Sequence, residues 1–108
     1  MRGKLVNDIR KDMRSEEVVD KLSRTFGVLG DPTRTRVIFA LVKHELCVKE
    51  LALLLKMSQS AISHQMRALK DLDLVRGRRH GRMVYYSLID EHIKNLFKEG
   101  LKHVLEKL

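Results

Sequence analysis

Four side chains able to hold a metal ion stand near the C-terminus of this chain: Asp90, His92, His103 and Glu106. Imidazole nitrogen with carboxylate oxygen is a donor set suited to tetrahedral zinc or cobalt, with nickel as a further candidate, and the lack of thiolate disfavours soft ions. The segment around them, IDEHIKNLFKEGLKHVLEKL, has helical periodicity. Ile93, Leu96, Phe97, Leu101, Val104, Leu105 and Leu108 make one apolar face, and His92, Glu99, His103 and Glu106 run beside it. His92 and His103 are eleven residues apart, so they point within about 20° of each other but lie roughly 16 Å apart along the axis. Zinc–nitrogen bonds are about 2.0–2.1 Å long, so one straight helix cannot close the site. Two copies packed antiparallel about a two-fold axis can. Asp90 and His92 would come from one subunit and His103 and Glu106 from the other, giving two equivalent sites per dimer. A plain solvated helix face, with Glu99 paired to a lysine, accounts for the same residues, and periodicity alone does not choose between the two.

A second group of residues suits nucleic acid. Ser58, Gln59, Ser60, Ser63, His64, Gln65 and Arg67 interleave with the apolar positions Ala61, Ile62, Met66, Leu69 and Leu72. Serine, glutamine and arginine match the donor and acceptor pattern of a major groove, and a recognition helix reads with its N-terminal residues. A shorter helix over about 48–56, with Leu51, Ala52 and Leu55 inward, precedes it across a tight break at Met57-Ser58. That is the spacing of a helix-turn-helix. A polar face by itself also fits bulk solvent. The segment that follows adds weight, because Arg76, Arg78, Arg79 and Arg82 cluster around a glycine-marked turn, where guanidinium groups can grip phosphate or enter a minor groove.

The elements that position these residues read in order. Residues 4–13 suit a short amphipathic helix or a frayed arm. Ser15, followed by Glu16 and Glu17, starts a helix carrying Val18, Val19, Leu22, Phe26 and Leu29 to Gly30. Asp31-Pro32 starts the next, with Val37, Ile38, Ala40 and Leu41 apolar. After the helix-turn-helix, Leu74-Val75-Arg76, then GRRHGR, then MVYYSL read as strand, turn and strand, and a last helix runs from about Glu91. The fold class is therefore mainly α with a small β-hairpin, a winged helix-turn-helix. Residues 1–14 form an arm or short helix, residues 15–108 form the DNA-binding and dimerisation domain, and the dimer closes through the N- and C-terminal helices.

Composition agrees and excludes other classes. A chain of 108 residues with 44% hydrophobic residues allows one domain with a modest core, and a formal charge of +8 favours a polyanionic partner. Cys47 is the single cysteine, so no disulfide framework forms within the chain and a reducing, cytoplasmic location is expected. No apolar run approaches a membrane span, no secretion signal is evident, and no membrane partner is expected. No glycine-rich phosphate loop or nucleophile–base pair is present, so neither an enzyme nor a small-molecule substrate is expected.

These segments resemble the ArsR/SmtB metalloregulatory repressors of bacteria and archaea. The likeness covers about residues 20–107. GDPTRTRVIFAL resembles the family's second-helix segment, ELCVKELA its entry to the helix-turn-helix, SQSAISHQMRALKDLDLV its recognition helix and exit, and GRRHGRMVYYSL its wing. The DEH…H..E arrangement is similar to the inter-subunit site of the zinc-sensing subset, which implies ligand roles for Asp90, His92, His103 and Glu106. Thiolate-sensing relatives carry a second cysteine in the ELCVC segment, where this chain has Lys49, so Cys47 is expected to be a small core residue. The resemblance implies a homodimer whose metal-free form binds double-stranded operator DNA and whose metal-bound form releases it. The alternative is a dimeric regulator of the same fold with a different inducer or none. A third reading is a winged helix that docks RNA or protein.

Overall fold

The computed structural model describes the whole chain, Met1–Leu108. Six helices and three strands follow in the order α1 (Arg2–Asp12), α2 (Glu16–Leu29), α3 (Pro32–Lys43), β1 (Leu46–Cys47), α4 (Val48–Leu55), α5 (Gln59–Asp71), β2 (Val75–His80), β3 (Met83–Leu88) and α6 (Glu91–Lys107). Capping chemistry fixes most of the helix starts. Side chains of Ser15, Asp31, Ser58 and Asp90 accept the backbone N–H of Val18, Arg34, Ala61 and Ile93 at 3.4, 3.0, 3.0 and 3.2 Å. Pro32, with its preset φ, occupies the first turn of α3. At α4 the carboxylate works in reverse, Glu50 Oε1 accepting the Cys47 N–H at 2.9 Å. Lys56, left-handed with φ 57°, ends α4 and turns the chain toward α5.

The core lies where α3, α4, α5 and the base of the wing meet. Val37, Ile38, Leu41, Leu51, Ile62, Met66, Leu69, Leu74 and Val75 are buried there together with Leu29 and Ala52. Cys47 is only 3% exposed, a small core residue as its sequence context indicates.

The N-terminal residues, read as a short helix or an arm, form the helix, α1. Elsewhere several features differ from the sequence reading. The wing is not a bare hairpin, because β1 pairs antiparallel with β3 (Leu46 with Tyr86, Cys47 with Tyr85) and makes a sheet of order β1-β3-β2. Strand β2 continues through Arg78, Arg79 and His80, so only Gly81 and Arg82 form the turn. Gly81 supplies the positive φ (63°) that a two-residue hairpin turn requires at its first position. Gly77, read as part of the turn, lies in mid-strand opposite Tyr86, where a Cβ would stand 2.9 Å from Val84 Cγ1. Tyr85 and Tyr86 do alternate. Tyr86 packs against the core, and Tyr85 lies on the other face under Arg78.

The chain leaves much apolar surface uncovered. Leu5, Val6 and Ile9 of α1, Val18, Val19, Leu22 and Phe26 of α2, and Leu96, Leu101, Val104 and Leu105 of α6 are all exposed. The helical periodicity of α2 and α6 is real, but only Val28, Leu29, Ile93 and Phe97 of these helices reach the chain's own core. Phe97 meets Phe39 edge-on at 6.0 Å. An open cleft of about 570 Å³, lined by Phe26, Phe39, Phe97, Leu101 and Val104 among others, separates α2, α3 and α6.

Candidate nucleic-acid and metal interface

Helix α5 buries Ile62, Met66 and Leu69, and this fixes which side faces out. Gln59, Ser60, His64 and Arg67 are exposed, and Ser63 is half-buried. Two polar residues of the helix-turn-helix have intramolecular work. Ser58 caps α5 through its hydroxyl oxygen, which leaves its O–H free to donate. Gln65 is half-buried, and its Oε1 accepts from Arg34 Nε on α3 at 2.8 Å. That contact pins the middle of α5 to the core helix and leaves the exposed polar surface at the N-terminal end and at Arg67.

The wing carries its arginines on both faces, because strand residues alternate. Arg76 and Arg78 oppose Ser87 and Tyr85, Arg79 opposes Val84 on the other face, and Arg82 sits at the turn. Arg76, Arg79 and Arg82 point into solvent without an ion-pair partner. Arg78 instead clasps Glu45, with Nη2 to Oε1 at 2.7 Å and Nε to Oε2 at 3.3 Å. The Arg78 guanidinium holds the Glu45 carboxyl below the usual carboxylate range. His80 is a strand-end residue whose ring approaches Tyr85 at 6.4 Å.

At the start of α6, Asp90 and His92 come together, His92 Nδ1 lying 3.4 Å from Asp90 Oδ1. The Ile93 N–H, helped by His92, keeps the Asp90 carboxyl below its ordinary range, so it stays an anion. The His92 side chain is 94% exposed. His103 and Glu106 lie near the other end of the same helix, also exposed. No three His, Cys, Asp or Glu side chains of the chain converge as a metal site.

Glu45 and Arg34 were absent from the sequence-based set of candidates. They lie 33 and 31 residues from the partners they hold, and no periodicity reaches across that separation. The wing's arginine count gives no sign that one of the four is already engaged.

Comparison with known proteins gives consistent neighbours. The family described as "Bacterial regulatory protein, arsR family" matches residues 31–76, from the start of α3 into β2. The "Transcriptional repressor SmtB homolog" of Synechocystis is 43% identical over 94% of this chain and 76% of its own length. The "Cadmium resistance transcriptional regulatory protein CadC homolog" of Staphylococcus aureus is 36% identical over 94% of this chain and 84% of its own. Among solved structures, the homodimeric winged helix-turn-helix DNA-binding domain of Mb0332 from Mycobacterium bovis superposes with a TM-score of 0.75 at 26% identity, covering 88% of this chain and 89% of that one.

Proposed function

The chain belongs to the arsR family of bacterial regulatory proteins, which are transcriptional regulators and not enzymes, and from that membership we propose that it acts as a homodimeric, metal-responsive repressor. The metal-free dimer binds a pseudo-palindromic operator. Two copies of α5 enter successive major grooves through Gln59, Ser60, Ser63, His64 and Arg67, and the wings rest on flanking phosphates. The excess of positive charge supports a DNA partner, and a cytoplasmic setting follows from that role.

The observation that carries the metal reading is the division of ligands along α6. Asp90 and His92 are already paired at one end, His103 and Glu106 wait at the other, and the uncovered leucines and valine between them call for a second helix. Each half-set is nitrogen and oxygen, exposed, and two ligands short of a tetrahedral sphere, which fits a divalent ion such as zinc, with cobalt or nickel also accommodated. Asp90 can cap α6 with one oxygen and offer the other outward, since an ionised carboxylate accepts at both. Buried, solitary Cys47 and exposed Lys49 give α4 no thiolate pair for a soft metal.

Bound across the seam, the ion would cross-link the two tail helices and so favour one dimer arrangement over another. The chain's own part is to convert that choice into the spacing of its two α5 helices, since α6 packs on α3 through Phe97 and Phe39. Metal and operator then oppose each other, and reciprocity makes the effect equal in both directions, typically about 5–150-fold. The test is operator retention by wild type and by His103→Ala with and without zinc. Release of the wild type alone supports the reading. Equal retention in all four samples would indicate a regulator of this fold with another inducer or none.

A further inference from the structure

The four wing arginines are not equivalent. Arg78 alone is engaged at short range, and the engagement has three parts. Its guanidinium makes a two-point contact with the Glu45 carboxylate at 2.7 and 3.3 Å, its Cζ lies 5.5 Å from the centre of the Tyr85 ring, and Tyr85 is its directly opposed residue on β3. Glu45 immediately precedes β1, which pairs with β3 on its other side. The Arg78 side chain therefore spans the sheet, from edge strand β2 across the central strand to the chain entering β1. Fork geometry satisfies both carboxylate oxygens at once, and the aromatic face beneath favours the cation. A phosphate would have to displace that carboxylate to take the same donors.

The outer part of the wing has little else to hold it. Strand β2 has one neighbour, β3, and every β2 residue beyond Val75 is exposed. A mobile wing would have to be ordered when it meets a ligand, at a cost in affinity.

We propose that Arg78 is a positioning residue rather than a phosphate contact: clasped to Glu45 across Tyr85, it fixes the wing's angle to the helix-turn-helix so that Arg76, Arg79 and Arg82 meet the nucleic-acid backbone. The proposal rests on the operator-binding reading above and specifies how the wing is used within it. It also predicts which charges count. Three arginines per wing neutralise phosphate, and the fourth is neutralised in advance by Glu45.

Salt dependence separates the two roles, because removing one phosphate-binding cation lowers the slope of log affinity against log salt by about 0.9. The probe is a duplex selected on the wild-type dimer from a random-sequence pool. Arg79→Ala removes one such cation per subunit and flattens the slope by about 1.8 for the dimer. Arg78→Ala and Glu45→Gln leave the slope unchanged and weaken binding by about 5- to 150-fold, the equivalent of ordering one side chain in each of the dimer's two wings. The double variant is no weaker than either single one, and exchanging the charges (Glu45→Arg with Arg78→Glu) recovers affinity over Arg78→Glu alone. A slope reduced by Arg78→Ala as much as by Arg79→Ala would overturn the proposal. So would tighter, more salt-sensitive binding by Glu45→Gln, since that would mean a released Arg78 reaches phosphate. Amide hydrogen exchange on the free dimer tests the clasp independently. Both single variants should speed exchange in β2 and β3 only, and unchanged wing protection would overturn the clasp. If the wild type selects no duplex, the operator reading fails on its own, and hydrogen exchange still decides whether the clasp exists.

Discussion

At the scale of single residues, hydrogen bonds decide what each polar side chain is free to do. Gln65 and Arg78 look like reading or gripping residues by type, yet each is held by a partner more than thirty positions away. Glu50 shows how such a bond sets a pH dependence. Its carboxylate accepts the Cys47 N–H at the start of α4, and that bond keeps its pKa below the ordinary glutamate value. A pKa lower in the folded than in the unfolded chain contributes stability at every pH above the unfolded value, and that contribution is lost as pH falls through the folded one. Wild type should therefore exceed Glu50→Gln in stability at neutral pH, with the gap closing below about pH 4.3. Urea titrations at a series of pH values check this, and a gap that persists or widens in acid would contradict it.

At the scale of elements, most of the fold was legible because helix starts announce themselves. Ser15 and Asp31-Pro32 marked two helix starts and cap as their types require, while Ser58 and Asp90, read as a break and a metal ligand, turn out to cap two more. The misses have physical reasons. Strand β1 is two residues long, too short for any alternation to register, and exists only because β3 lies alongside it. Strand β2 reads as a turn because its outer residues are glycine, arginine and histidine, with no apolar alternate to mark a buried face. Helix α1 buries nothing within its own chain, so its weak apolar pattern left helix and arm open. The candidate site was legible where its residues share one helix, as on α5 and α6, and illegible where it depends on Glu45 or Arg34. Gly77 is the sharpest test of the wing's construction. A methyl group there meets Val84 and Tyr86 at 2.9 and 3.3 Å, and valine is stiff at χ1. The clash outweighs the entropy gained by losing glycine, so Gly77→Ala should cost about 1 kcal/mol in urea unfolding. Gly81→Ala should be costly for a different reason, its positive φ, with open space around it.

At the scale of the whole molecule, a single chain looks like half of something. Its accessible surface is 8418 Å², whereas mass scaling gives about 6200 Å² for a compact monomer of 12.6 kDa. Its radius of gyration is 17.5 Å, against about 13 Å for a compact domain of this length. The excess of roughly 2200 Å² falls within what each partner gives up in an obligate dimer. The uncovered side chains of α1, α2 and α6 are where such a partner would sit. Sedimentation should show a species of twice 12.6 kDa, and Leu101→Glu, which puts a charge into the cleft beside Phe97, should shift it toward the monomer. The central claim is that each coordination sphere is assembled from two chains, and subunit mixing tests it most directly. One variant lacks Asp90 and His92, the other lacks His103 and Glu106, and cobalt absorption is read on each alone and after exchange. Two-chain assembly predicts no tetrahedral cobalt band from either variant and one restored site in each mixed dimer, about one ion per four chains after statistical exchange. A mixture as silent as its components, or a variant that binds cobalt tightly by itself, would contradict it.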